Sequence, residues 1–216
     1  MHAIDTFSHT LIILMAKAPI AGRVKTRMIP ALGEQGACDL YESLLDITLL
    51  TMSGIDNADL AIYWDGAMDD EFLLRHQHSC VEIKPQHGND LGERMLVACR
   101  DNIDRYHSVV LIGADCPILN AQHINTVINH LQSETDVVIT PAEDGGYVLL
   151  GMNEVYDTLF EDIIWSSESV FQQTRDKLNK LSVRWKAMPE LWDIDREQDL
   201  RRWQSLQADM TQQRLP

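Results

Sequence analysis

The run Val109-Val110-Leu111-Ile112 stops abruptly at Gly113-Ala114-Asp115-Cys116-Pro117, and no other stretch restricts the fold as strongly. Consecutive branched and long apolar residues without alternation read as a strand buried on both faces. Such strands belong to sheets that carry helices on each side. A lone carboxylate, Asp115, stands where the strand ends. In open α/β sheets ligands are met outside the carboxyl ends of the strands, so an acid there is placed to hold a metal or face a phosphate-bearing ligand. It is placed equally well to cap a helix opening after Pro117, because Asp is a common helix-start residue.

The remaining chain alternates strand and helix patterns. Thr10 to Met15 reads as a second buried strand, and Ala37, Leu40, Tyr41, Leu44 and Ile47 give the helical period over about residues 34–52. Strands are expected over 58–64, 80–84, 136–140, from 147 onward and over 181–188, with helices over 68–78, 91–106 and 121–132 and a closing helix to about 207. Asn89 or Asp90 can cap the helix over 91–106, and Ser166 with Ser167 or Ser169 the one after Trp165. The alternation predicts an α/β protein, a three-layer α/β/α arrangement around a mostly parallel sheet. A chain of 216 residues suits one such domain over 10–216, after a loose lead-in over 1–9.

Charge narrows the function. A net charge of −15 argues against nucleic acid or anionic membrane as partners. The four cysteines (Cys38, Cys80, Cys99 and Cys116) are dispersed, so neither a zinc motif nor a disulfide framework is indicated, and a cytoplasmic setting with reduced thiols fits. The apolar run from Leu11 to Ala16 is too short to span a bilayer. No histidine pair has metal-ligand spacing with a carboxylate partner.

Against that acidic background, Ala16 to Arg27 holds four cations among twelve residues and no acid. Lys17, Arg23, Lys25 and Arg27, with Gly22 in the bend, read as an anion cradle after the first strand. The segment is neither a phosphate-binding P-loop nor a dinucleotide fingerprint, because the required glycines are missing. Two further loops invite a ligand. Gln86 ends a strand and its amide can read a base or sugar edge, next to Gly88. Glu143-Asp144-Gly145-Gly146 is a turn that a substrate can approach closely.

Taken in order, Lys17-Ala18-Pro19 with Gly22 and Val24-Lys25-Thr26-Arg27, Asp90-Leu91-Gly92-Glu93-Arg94-Met95, Gly113-Ala114-Asp115-Cys116-Pro117, Pro141-Ala142-Glu143-Asp144-Gly145-Gly146-Tyr147 and Trp165-Ser166-Ser167 resemble a known family. It is the bacterial family assigned as glycosyltransferases of the nucleotide-diphospho-sugar transferase superfamily, with the glycosyltransferase-A-type fold, and it is similar to phospholactate guanylyltransferase. The resemblance implies a mixed, mostly parallel sheet with the nucleotide over its first half. Asp115 is then similar to the metal-binding aspartate of an Asp-x-Asp motif, here with a single acid. The segment Ile194 to Leu200 looks like the late aspartate element of nucleotidyltransferases, which makes Asp195 the implied second metal ligand and Asp193 the reserve.

The expected cofactor is Mg²⁺ or Mn²⁺, hard cations that need only one or two protein carboxylates when a diphosphate completes the shell. The implied reaction is glycosyl transfer from a nucleotide sugar to a small-molecule acceptor. Asp144 or Glu143 would act as base or sugar ligand, with Gly145, Gly146, Tyr147 and Trp165 around the acceptor. The alternative is nucleotidyl transfer from a nucleoside triphosphate with release of pyrophosphate, and a second alternative is binding without catalysis. A homodimer is left open.

Overall fold

The computed structural model describes residues 9–212, so all but His9 of the expected lead-in lies outside the described residues. The strands are β1 (Thr10–Lys17), β2 (Ala58–Asp65), β3 (Glu82–Pro85), β4 (Ser108–Ile112), β5 (Val137–Pro141), β6 (Tyr147–Met152) and β7 (Trp185–Ala187). Between and after them lie the helices α1 (Ile29–Ser53), α2 (Glu71–His76), α3 (Leu91–Ile103), α4 (Ala121–Leu131), α5 (Val170–Leu181) and α6 (Glu197–Gln212). The strands form one sheet in the order β3-β2-β1-β4-β6-β5-β7. β6 alone runs against its neighbours. It follows β5 after a short loop, which permits only antiparallel pairing, whereas β1, β2 and β3 are joined by helical crossovers.

Burial on both faces of the central strands has the consequence expected from period-two geometry. Ile12 and Leu14 of β1 face one core with Tyr41 and Leu45 of α1 and Ile124 and Val127 of α4. Leu11 and Ile13 face the other with Met95 and Cys99 of α3 and Leu178 of α5. The sheet therefore separates two helical layers, the three-layer arrangement expected from the sequence. α6 adds Leu200 and Trp203 to a smaller cluster with Leu44 of α1, Trp192 and Ile194. All four cysteines are free thiols, and no described helix is long and apolar enough to cross a membrane.

Boundaries shift where local chemistry overrides pattern. α1 begins five residues before the expected start, but Gly33 at φ +72° breaks it, so the regular helix does open at Glu34. The expected late strand contributes only Trp185–Ala187, because α5 continues to Leu181 and Ser182 ends it in a left-handed conformation. α3 is capped by Asp90, which accepts from Glu93 N at 2.9 Å, while the Glu93 carboxylate accepts from Asn89 N at 2.8 Å. The expected serine cap on α5 is not made. Ser169 stands at the N-cap without a capping bond, its hydroxyl accepting instead from Gln173.

The topology locates the crevice. From β1 the chain moves through β2 to β3 on one side, and from β4 it moves to β5, β6 and β7 on the other. The carboxyl ends of β1 and β4 thus flank the switch point, where an open α/β sheet leaves room for a ligand.

One turn near that point tolerates no side chain. Gly145 has φ +88°, and a Cβ there would stand 2.0 Å from the Glu168 carbonyl oxygen, backbone that cannot swing aside. Gly145→Ala is expected to destabilise the protein by about 2–3 kcal/mol, read as a lower urea midpoint with an unchanged m-value.

Candidate active site

The basic loop leaves β1 and is folded by its own main chain. Arg23 N donates to Ile20 O at 2.9 Å, Gly22 turns at φ +79°, and the side chains of Val24 and Met28 are buried in the protein. Those two plugs hold Lys25 between them in a left-handed conformation, φ +46°. A non-glycine residue pays about 1–2 kcal/mol for that geometry, which persists only where the surroundings impose it.

The consequence is that the Lys25 side chain points inward, only 5% exposed. Its ammonium lies 2.8 Å from Asp115 Oδ1 and donates to the Ile194 carbonyl at 2.5 Å. Asp115 Oδ1 is itself buried without an aligned hydrogen bond, so the contact is one of charge. Ile194 N donates back to the Asp115 carbonyl at 2.8 Å. The loop after β1, the tip of β4 and the segment before α6 are thereby closed into one ring across the crevice.

Asp115 is not a helix cap. α4 opens only at Ala121, and Asn120 caps it by accepting from His123 N at 2.9 Å. With that role filled elsewhere, the acid at the end of β4 has no part in a helix start.

The segment 193–195 contributes two acids in different states. Asp195, the expected second metal ligand, forms an ion pair with Arg27. Asp193 is half-buried, and its carboxyl is pushed up to about 6 by burial and then by the neighbouring charges of Asp144 and Asp115. Asp193, the reserve candidate, therefore shares the electrostatic field of Asp115 and Asp144. The segment is fixed by Asp199, which accepts from Asp195 N at 3.1 Å and Arg196 N at 2.7 Å and so ties the chain to the first turn of α6.

A stability consequence follows with a definite sign. The folded protein holds the Asp193 proton more tightly than the unfolded chain between the ordinary value of 3.8 and about 6. Stability should therefore fall as pH rises through that window, and the loss is complete above it. Discounted for partial exposure, it amounts to about 1–2 kcal/mol. Asp193→Asn is expected to flatten this decline and to be the more stable protein at pH 8. Urea unfolding across pH 4–8 in the absence of divalent cations checks it.

Glu143 and Asp144 separate in the same way. Glu143 is held by Arg202 of α6 at 2.8 and 3.1 Å, and that guanidinium lies 4.3 Å over the Trp192 ring. Asp144 accepts only a local turn bond from Gly146 N at 2.9 Å. Asp144 is thus the acid of this pair that can meet a ligand.

Other expected contacts are spent on structure. Gln86 uses both amide hydrogens on the carbonyls of Ala16 at 2.9 Å and Tyr63 at 2.8 Å, so it cannot donate to a base edge. Gly88 is required because a Cβ would stand 2.7 Å from Arg94 N. Tyr147 turns its hydroxyl inward beside Cys99, where it is buried and unpartnered, and burial pushes its pKa up. Trp165 packs its indole over Gly92 at the start of α3. The Tyr147 hydroxyl therefore offers no acceptor contact in this conformation, while Trp165 stays partly exposed. The sequence reading missed Tyr41, whose hydroxyl accepts from Lys17 N at 2.9 Å and lies in the field of Asp115. Its helical spacing marked it only as core.

Among the described residues no group of three acidic, histidine or cysteine side chains stands ready to hold a metal. Lys17 and Arg23 have no carboxylate partner among the described residues, whereas Lys25 and Arg27 do.

Sheet order, the single reversed strand and the acid at the tip of β4 define a protein with the nucleotide-diphospho-sugar transferase fold. A crystal structure from Desulfovibrio desulfuricans G20, described as a candidate nucleotide-diphospho-sugar transferase, is 30% identical, with TM-score 0.80 over 88% of this chain and 84% of that one. Residues 48–167 match the family described as an uncharacterized protein conserved in bacteria (DUF2064), and the chain belongs to that family. Two more distant structures share the fold. CMP:2-keto-3-deoxy-manno-octonic acid synthetase complexed with CTP is 8% identical, with TM-score 0.61 over 94% of this chain and 100% of that one. Glucosyl-3-phosphoglycerate synthase from Mycobacterium tuberculosis, in complex with Mn²⁺, UDP and phosphoglyceric acid, is 11% identical, with TM-score 0.55 over 86% and 69%. No curated protein matches the chain.

Proposed function

We propose that this protein is a divalent-metal-dependent glycosyltransferase that takes a nucleotide-diphospho-sugar donor in the β1–β4 crevice and passes the sugar to a small hydroxyl acceptor. The observation that carries this reading is the meeting, at the switch point of the sheet, of Lys25 from the basic loop with Asp115 after β4 and with the Ile194 carbonyl next to Asp193. The likeness to a synthase crystallised with Mn²⁺ and UDP supports it.

The residues fit a hard cation. Asp115 and Asp193 supply carboxylate oxygens, and burial, then the neighbouring Asp144 and Asp115, raises the Asp193 carboxyl. With no three-residue cage among the described residues, the fit is to an ion that shares its shell with phosphate oxygens. Once bound, Mg²⁺ or Mn²⁺ would neutralise charge on the leaving diphosphate. Lys17 and Arg23 bind the remaining phosphate charge, and Asp144 accepts a hydrogen bond from the acceptor hydroxyl and, if configuration inverts, its proton.

In the free protein two of the four loop cations face Asp115 and Asp195, and Lys17 and Arg23 have no carboxylate partner among the described residues. Nucleotidyl transfer is the second reading, and the likeness to a cytidine-nucleotide synthetase holding CTP favours it. Incubation with a panel of nucleotide sugars and triphosphates plus Mn²⁺ separates the two. Nucleoside diphosphate release supports glycosyl transfer, pyrophosphate release supports nucleotidyl transfer, and binding without either product leaves a non-catalytic sensor.

A further inference from the structure

We propose that Lys25 is the resident counter-cation of the crevice: its ammonium holds the cation position beside Asp115 until a metal–phosphate complex enters, when it passes to the phosphates. The inference rests on the metal reading above and adds an order of binding, in which the free protein takes up a divalent cation only together with a phosphate ligand.

Three observations carry it. The ammonium is almost fully buried and touches only oxygen, Asp115 Oδ1 at 2.8 Å and the Ile194 carbonyl at 2.5 Å. Those are a carboxylate and a neutral carbonyl, the donor types a hard cation also selects. Second, Asp115 Oδ1 is buried with no aligned hydrogen bond, so it is committed to a charge rather than to a donor network. Third, the Lys25 main chain is pinned in the left-handed region between the buried side chains of Val24 and Met28. The loop need not move for the head group to leave, because a lysine stem is long and flexible.

Charge arithmetic gives the order. A metal ion arriving alone at Asp115 meets a buried ammonium 2.8 Å from Oδ1 and brings no phosphate to receive it. Arriving with a diphosphate, it brings the acceptor along, and each cation exchanges one oxygen partner for another. Arg27 repeats the arrangement further out, paired with Asp195.

The test uses inorganic pyrophosphate as the phosphate ligand, so that no base need be guessed. Calorimetric titration of Mn²⁺ into the free wild-type protein is expected to show weak or no binding, and addition of pyrophosphate to tighten it strongly. Lys25→Met is expected to bind Mn²⁺ alone about tenfold or more tightly than wild type, while Mn²⁺–pyrophosphate binding weakens. Equal Mn²⁺ affinity in the two proteins overturns the counter-cation and leaves the metal reading standing. No Mn²⁺ binding to either protein, with or without pyrophosphate, overturns both. A measurement on the wild type alone covers a variant that does not fold. In ¹⁵N-lysine-labelled protein the buried Lys25 ammonium signal is expected to be unmoved by Mg²⁺ and shifted by Mg²⁺ with pyrophosphate. A shift with Mg²⁺ alone, or none with the pair, overturns the proposal.

Discussion

Asp115→Asn is expected to lower transfer activity on the order of 10³-fold, equivalent to about 4 kcal/mol of barrier. The amide keeps the shape of the side chain and loses the charge that both the metal and Lys25 require. In a thermal-shift experiment the wild type should gain stability from nucleotide plus Mn²⁺ and the variant should not. An undiminished shift would remove Asp115 from the metal site. The free variant should also be less stable by about 1–3 kcal/mol, because the nearly buried Lys25 ammonium loses its opposite charge and keeps only neutral oxygens. Part of that loss should return in the double variant Lys25→Met, Asp115→Asn, where no buried charge remains. A double variant no more stable than Asp115→Asn would mean that the pair does not carry the effect.

The second large effect divides two adjacent acids. Asp144→Asn is expected to reduce transfer about 10²-fold, the scale of losing a positioned acid–base group. Glu143→Gln should stay within about threefold, since most effects of a partly exposed ion pair are small. The structural reason is that Glu143 is bound in a fork by Arg202, whereas Asp144 makes only a turn bond to Gly146 and shares the field of Asp193. The two variants assayed side by side with one nucleotide sugar decide it. Equal losses would place both acids in the reaction, and a larger loss at Glu143 would reverse the assignment.

How much of the site was legible depends on whether its members are local in sequence. The basic loop stood out because four cations without an acid are conspicuous in a chain of net charge −15. Asp115 stood out because a buried strand ends there. What each cation faces was not legible: Lys25 and Arg27 read as phosphate ligands, yet both meet carboxylates that lie 90 and 168 residues further along the chain, at Asp115 and Asp195. Asp193 and Asp195 carry the same chemistry two residues apart, and only the surroundings separate an acid raised first by burial and then by its neighbours from one paired with arginine. Gln86 and Tyr147 have side chains that suit ligand recognition, and in the folded chain their donors are taken up by main chain or turned into the core.

The sequence by itself determined the layers. Runs such as Leu11 to Leu14 and Val109 to Ile112 are apolar on both faces and fold stably only with helices on each side, and the helical periods between them supply those helices. It also marked which loops are candidates to meet a ligand, because charge reversal and paired glycines are local properties. Only the tertiary structure decided the strand order, the reversal of β6, and the pairing of each charge. Those depend on which segments the sheet brings side by side, and electrostatic partners act through distance in space, which local sequence does not encode.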